Sequence, residues 1–218
     1  MPSHSAVEIA LAAGTVARPA PAEAPFLAQA RAPQTTILPE GAEIYAQGDK
    51  AQTVYQVVFG AVRVFRLLAD GRRQISAFHL PGEVFGFECS ADHRFFAEAI
   101  CATGVRAFRL NGGVDMSRDL LPLALSGLAK AQEHQLVLVR QSASERLAAF
   151  LLDLAERQGG LEQFDLPMSR LDIADYLGLT IETVSRTLTR FKVKGIIGLP
   201  SLRRVTVRKW GPLQQLAE

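Results

Sequence analysis

From Thr36 to about Leu110 the chain alternates short β-prone runs with glycines. TVYQVVFG, AVRVFRLLADG, RRQISAFHLPG and VRAFRL mix apolar and polar positions at the short period of strands with one buried face. Regular turn signals between such runs predict an antiparallel β-roll. Asp70 and Gly71 mark the clearest hairpin, between Val62 to Leu68 and Gln74 to Leu80. From Val114 to about Gln141 the period becomes helical. One stripe joins Leu121, Leu125, Leu128 and Val139, interrupted by Gln132 and Gln135; a second joins Leu120, Leu123, Ala124, Ala131 and Leu138. One stripe is expected to face the β-roll and the other a second copy of the same helix. Pro122 fits only the first turns of such a helix.

A further helix is expected over roughly Ser144 to Gln158, with Leu147, Phe150, Leu151 and Leu154 inward. Gln158, Gly159 and Gly160 end it. Phe164 to Pro167 has room for one strand. Met168 to Leu199 then reads as two short helices around a tight turn. Ser169 caps the first, and Asp172 three positions on completes a capping box. Leu171, Ile173, Ala174 and Leu177 point inward. Gly178 supplies the backbone freedom for a sharp turn. Thr180 caps the second helix, which runs to about Val193. Its buried stripe is Ile181, Val184, Leu188 and Phe191. This is the pattern of a helix-turn-helix. GIIGLPSLRRVTVRKW follows as two strands turning at Pro200 and Ser201, a wing. The last residues, PLQQLAE, are expected to pack weakly.

The organisation that results is α+β: a tail over 1–26, a cyclic-nucleotide-binding-like β-roll over 27–113, a dimerisation helix over 114–141 and a winged helix-turn-helix over 142–218. A short helix from about Ser5 to Ala13 is compatible with the tail. With 48% hydrophobic and 21% charged residues, the composition is that of a globular protein. No apolar run approaches the length of a membrane span, and the N-terminus lacks the basic lead and apolar core of a secretory signal. The expected compartment is the cytoplasm.

Charge changes the picture locally. The whole chain carries only +2, yet eight basic residues lie between Thr180 and Lys209: Arg186, Arg190, Lys192, Lys194, Arg203, Arg204, Arg208 and Lys209. The one acid there is Glu182. Such a cluster repels itself unless a polyanion lies against it, and double-stranded DNA is the expected partner. Arg63, Arg66, Arg72 and Arg73 read more plainly as a solvated hairpin face. No nucleophile, base and orienting group share a recognisable spacing, so enzymatic activity is not expected.

The segments DGRRQISAFHLPGEVFG (70–86), SERLAAFLLDLAER (144–157) and LDIADYLGLTIETVSRTLTRF (171–191) resemble the CRP/FNR family of bacterial transcription regulators, most of all its FixK branch. The resemblance covers about residues 27–210. It implies that the Glu-x-x-Ser-Arg pattern at Glu182, Ser185 and Arg186 reads bases in a palindrome close to TTGA-N6-TCAA. Arg186 is suited to guanine O6 and N7, Glu182 to a cytosine amine. Glu182 also has a plainer role as an intrahelical partner of Arg186. Phosphate contacts and positioning fall to Ser169, Thr180, Thr183, Thr189, Arg190, Lys192, Arg203 and Arg204. The resemblance further implies a homodimer that activates transcription through contact with RNA polymerase.

The sensor half departs from ligand-gated relatives. Gly82 and Glu83 are present, but Arg94 is followed by Phe95 and Phe96 with no adjacent hydroxyl, and Glu98 would repel a phosphate if it faced inward. Cyclic nucleotide is therefore not expected. Cys89 and Cys101 are the only cysteines. They cannot ligate an iron–sulfur cluster within one subunit and are at most redox thiols. His79, His93 and Cys89 leave haem open as an alternative, in a gas- or ligand-gated regulator of the same fold. No cofactor and no metal are expected, and the resemblance to the FixK branch implies effector-independent DNA binding, with targets in nitrogen fixation, denitrification and low-oxygen respiration.

Overall fold

The structure is a computed structural model describing residues 34–110, 120–140 and 142–218. The tail over 1–26, its helix near Ser5 to Ala13 and the start of the central helix at 114–119 lie outside the described residues.

Two four-stranded antiparallel sheets form the β-roll. One runs in the order β1 (Thr36–Leu38), β8 (Thr103–Arg109), β3 (Thr53–Phe59), β6 (Val84–Phe85); the other β2 (Glu43–Tyr45), β7 (Phe96–Ala99), β4 (Val62–Leu67), β5 (Arg73–His79). The β4–β5 hairpin turns where the Asp-Gly pair predicts, and Gly71 has φ +80°. Asp70 Oδ1 accepts from the Arg72 amide at 3.0 Å, an Asx-type closure that any longer side chain reaches less well. Tyr45, Val57, Val62, Val64, Phe85, Ala97 and Val105 fill the space between the sheets.

The outer face of the second sheet is not solvated. Phe65, Ile75 and Phe78 join a single apolar cluster with Leu147, Leu151 and Ile173 from the C-terminal half. The expectation of a solvated arginine face is corrected accordingly. Arg63 and Arg73 point into this junction, while Arg66 and Arg72 remain outside.

Helix α1 (Leu121–Leu138) begins with Pro122 in its first turn, where the missing N–H has no partner to lose. Leu120 and Leu123 pack against Val54 and Phe108 of the roll. Leu121, Leu125, Leu128, Gln132, Gln135 and Val139 all lie exposed along one side, Leu125 at 56% and Val139 at 75%. Ala124 and Ala131, expected on the inner stripe, are exposed too.

Helix α2 (Ala143–Arg157) is capped by Ser142, whose Oγ accepts from the Glu145 amide at 3.1 Å. It buries Leu147, Phe150, Leu151 and Leu154. Then come β9 (Gln163–Asp165), α3 (Arg170–Leu177), α4 (Ile181–Val193), β10 (Ile197–Ser201), β11 (Arg204–Val207) and α5 (Trp210–Ala217), with a small sheet in the order β10-β11-β9. Two expectations fail here. Pro200 and Ser201 belong to β10, and the wing turns at Leu202 and Arg203, because Ser201 pairs with Arg204 after a register shift. The C-terminus does not pack weakly: α5 lies on α2, with Leu213 fully buried and Trp210 and Leu216 against the core.

Candidate nucleic-acid interface

The first helix of the pair starts on a full capping box. Ser169 Oγ accepts from the Asp172 amide at 3.0 Å, and Asp172 Oδ2 accepts from the Ser169 amide at 3.0 Å and its hydroxyl at 2.7 Å. Ile173, Ala174 and Leu177 are buried, while Leu171 is half exposed. Gly178 ends the helix at φ +62°, a conformation a side chain adopts only with strain. Arg146 of α2 fixes the turn, its Nη1 donating to the Leu177 carbonyl at 3.2 Å. Thr180 Oγ1 accepts from the Thr183 amide at 3.2 Å and starts α4.

In α4 the buried stripe is Val184, Thr187, Leu188 and Phe191. Ile181 was expected inside but is 41% exposed, because it is the first helical residue and the packed stripe begins one turn later. Glu182, Ser185, Arg186 and Thr189 share the opposite, solvent-facing side, at i, i+3, i+4 and i+7. Among the described residues Arg186 has no hydrogen bond or ion pair, so its donor fork is free. The carboxyl of Glu182 is lowered by the backbone N–H at the helix start, by the Thr180 hydroxyl and by Arg186, which keeps it an acceptor at neutral pH. Thr189 Oγ1 donates to the Ser185 carbonyl at 2.9 Å.

The remaining residues expected to position the duplex are placed unevenly. The hydroxyls of Ser169 and Thr180 serve the caps, and Thr183 Oγ1 lies 3.1 Å from Thr180 Oγ1. Arg190 donates to Ser144 Oγ, and Lys192 is exposed. On the wing, Arg203 donates to the Pro167 carbonyl and Arg204 Nε pairs with Asp165 at 3.0 Å. Arg170, which follows the cap Ser169, was missed. Its Nη1 is buried without a partner, and its pKa is lowered by burial and by the nearby Arg203 cation. Two cations brought together with an unused donor are suited to an anion between them. The sequence signal was its position at the start of the first helix, where N–H groups and side chains point outward together.

The interior of the roll is closed by rings. Tyr45 stacks on His93 at 3.7 Å, and Tyr55 on Phe85 at 5.5 Å. Arg94 is exposed, and Glu98 faces outward to Arg63 at 2.5 Å. The argument that Glu98 would repel a phosphate within the roll therefore fails; aromatic side chains fill that space instead. His93 lies outside any strand and is 3% exposed. His79 stacks on Phe85 at 5.0 Å, and Cys89 is exposed while Cys101 is half-buried. Among the described residues no group of three or more His, Cys, Asp or Glu side chains is arranged to hold a metal, and no helix is long and apolar enough to cross a membrane.

Glu83, after the Gly82 turn, is the centre of an ion cluster. Its Oε1 accepts from Lys130 at 2.8 Å and from Arg157 Nε at 3.1 Å; its Oε2 accepts from Arg157 Nη2 at 2.9 Å. Burial alone would raise this carboxyl, but His79, Arg157 and Lys130 together hold it well below the usual carboxylate range. Nearby, a cleft of about 470 Å³ separates α1 from β5 and α2, and on its wall His134 lies flat on Tyr176 at 3.8 Å.

Comparison with known proteins fits this architecture. Residues 35–114 match the model of the cyclic nucleotide-binding domain, and residues 145–216 that of the Crp-like helix-turn-helix domain. The chain is 54% identical to the nitrogen fixation regulation protein FixK of Rhizobium meliloti, over 91% of this chain and 90% of that protein. It is 43% identical to the FixK of Azorhizobium caulinodans, over 99% and 90%. The structure of FixK2 from Bradyrhizobium japonicum superposes with a TM-score of 0.79 at 44% identity, covering 85% of this chain and 98% of that one.

Proposed function

This chain belongs to the FixK branch of the CRP/FNR family of transcription regulators, and from that premise we propose that two copies bind a TTGA-N6-TCAA-like palindrome without an effector and activate transcription. Each α4 enters one major groove of the duplex. Glu182, Ser185 and Arg186 read base edges there, Arg186 by a bidentate contact to guanine. Arg170, Lys192, Arg203 and Arg204 hold the backbone and set the register. The exposed apolar side of α1 joins the two copies, with Leu121, Leu125, Leu128 and Val139 in the seam and Gln132 and Gln135 fixing its alignment. The targets are genes of nitrogen fixation and low-oxygen metabolism, and activation proceeds by contact with RNA polymerase.

The observation that carries this reading is the free side of α4: an acid, a hydroxyl and an unpaired guanidinium aligned outward on a well-capped helix. The filled β-roll supports effector independence, since a ligand there would first have to displace Tyr45, Tyr55 and Phe85.

The test is selection of bound duplexes from a random pool by purified protein with no added ligand. The expected product is a two-fold palindrome with TTGA half-sites six base pairs apart. Recovery of single half-sites only, or a requirement for an added small molecule, would overturn the reading.

A further inference from the structure

The covalent route from α1 to α2 is short, residues 139–142, and a peptide chain has two soft dihedrals per residue. That link does not by itself fix the angle between the dimer seam and the reading helix. Side chains do.

The β4–β5 hairpin grips α3 from the side. Arg63 Nη1 donates to Asp172 Oδ1 at 3.0 Å, and Arg73 Nη2 to the same oxygen at 2.7 Å. Arg73 also reaches Asp175 Oδ2 through Nε at 3.0 Å and Nη2 at 2.8 Å, and Gln74 Nε2 donates to the Asp175 carbonyl at 2.8 Å. Both guanidinium groups lie over the ring of Phe65, at 5.9 and 5.6 Å from its centre. Asp172 is almost fully buried and is also the capping acceptor of α3. The roll is tied in turn to α1 by Glu83 and Lys130. An unbroken chain of contacts thus runs from α1 through the roll to α3, and across the shared core of Ile173, Leu177, Val184 and Leu188 to α4.

A buried ion cluster contributes little net stability over apolar residues of the same volume, because desolvation offsets the attraction. Its distinguishing property is a narrow set of allowed geometries. A dimer that reads two half-sites needs this property. One extra base pair moves the second half-site by about 3.4 Å along the axis and about 35° around it.

We propose that Arg63 and Arg73, by gripping Asp172 and Asp175, make the β-roll a strut that sets the separation and twist of the two α4 helices, and so determine which spacer between half-sites is accepted. They are positioning residues and touch no base. The proposal rests on the palindrome reading above and extends it to spacer selectivity.

The experiment measures fluorescence-anisotropy affinities of full-length protein for palindromes with five, six and seven base-pair spacers, and for a single half-site. Wild type is expected to favour six over five and seven by about tenfold or more, the scale of one misplaced contact. Arg73→Glu is expected to reduce that preference to about threefold or less, with half-site affinity unchanged. Arg73→Lys, which keeps a cation against both Asp172 and Asp175, is expected to retain most of the preference. If Arg73→Glu lowers the melting temperature, Arg73→Gln provides the same comparison with the side chain nearly as large. An unchanged spacer preference in Arg73→Glu and Arg73→Gln, or tighter binding to the six-base-pair site, would overturn the strut. A wild type that binds the half-site as tightly as any palindrome would overturn the palindrome reading itself.

Discussion

At the scale of single residues, two arginines near the basic face stand in different surroundings. Arg186 stands free on the outer side of α4, and Arg170 has a buried, unpartnered donor beside Arg203. Arg186→Ala is expected to remove the preference for the palindrome, reducing specific affinity by about 1–3 kcal/mol per half-site while non-specific binding persists. Arg170→Ala is expected to weaken all duplexes alike and to reduce the slope of log affinity against log salt by about one per half-site. Gel shifts on matched and scrambled DNA at several salt concentrations separate the two. Arg186 is legible in the sequence because its exposure follows from helical period alone. Arg170 is only partly so: its place at the helix start is, but its buried donor beside Arg203 depends on a wing that lies 33 residues further along. The same holds for Arg63 and Arg73: a strand pattern gives the face of a side chain but not what covers that face.

At the scale of elements, α1 is the one helix among the described residues with no buried residue of its own. Leucines that stay more than half exposed in a single chain gain their burial elsewhere. Leu125→Lys is expected to leave the fold of each subunit intact, because the side chain touches little within it, and to shift the protein from dimer to monomer in sedimentation. Affinity for the palindrome would fall about tenfold or more as the second half-site is lost. A dimer that survives the substitution would remove α1 as the seam. The helix-turn-helix was the most readable element because cap, turn glycine and apolar period all agree locally, at Ser169, Gly178 and Val184. The wing turn and α5 were misread for the opposite reason. Pro200 looks like a turn residue but sits beside a register shift at a strand edge, and the buried Leu213 is recognisable only once α2 is in place beneath it.

At the scale of the whole molecule, the β-roll and the C-terminal half share one apolar cluster, so they respond together to solution conditions. Burial lowers the pKa of His79, His93 and His134, against opposing contributions from Glu83, Glu88 and the Tyr176 carbonyl respectively. These histidines take up protons more readily when unfolded. Stability is therefore full above about pH 6.5 and falls as pH drops through the window between the unfolded value and the lower folded ones. Glu83 has the opposite sense of charge: its depressed carboxyl keeps contributing until pH falls below about 4.3, and it is lost only in stronger acid. Urea unfolding followed from pH 7.5 to 4 is expected to show a decline that begins near neutrality and steepens below about pH 4.3. A flat midpoint between pH 7 and 5 would contradict the assigned burial of the three rings.

The packed rings inside the roll also bear on how such a protein can change over evolutionary time. Replacing Tyr45 or Phe85 with alanine to hollow out a chamber would destabilise the fold by about 3–5 kcal/mol each, a large part of what a domain of this size has in reserve. With aromatics packed there, responsiveness to a metabolite cannot arise one tolerated substitution at a time. Adjusting the protein's output is easier through the amount of protein made, or through the outward side of α4, than by opening the inside.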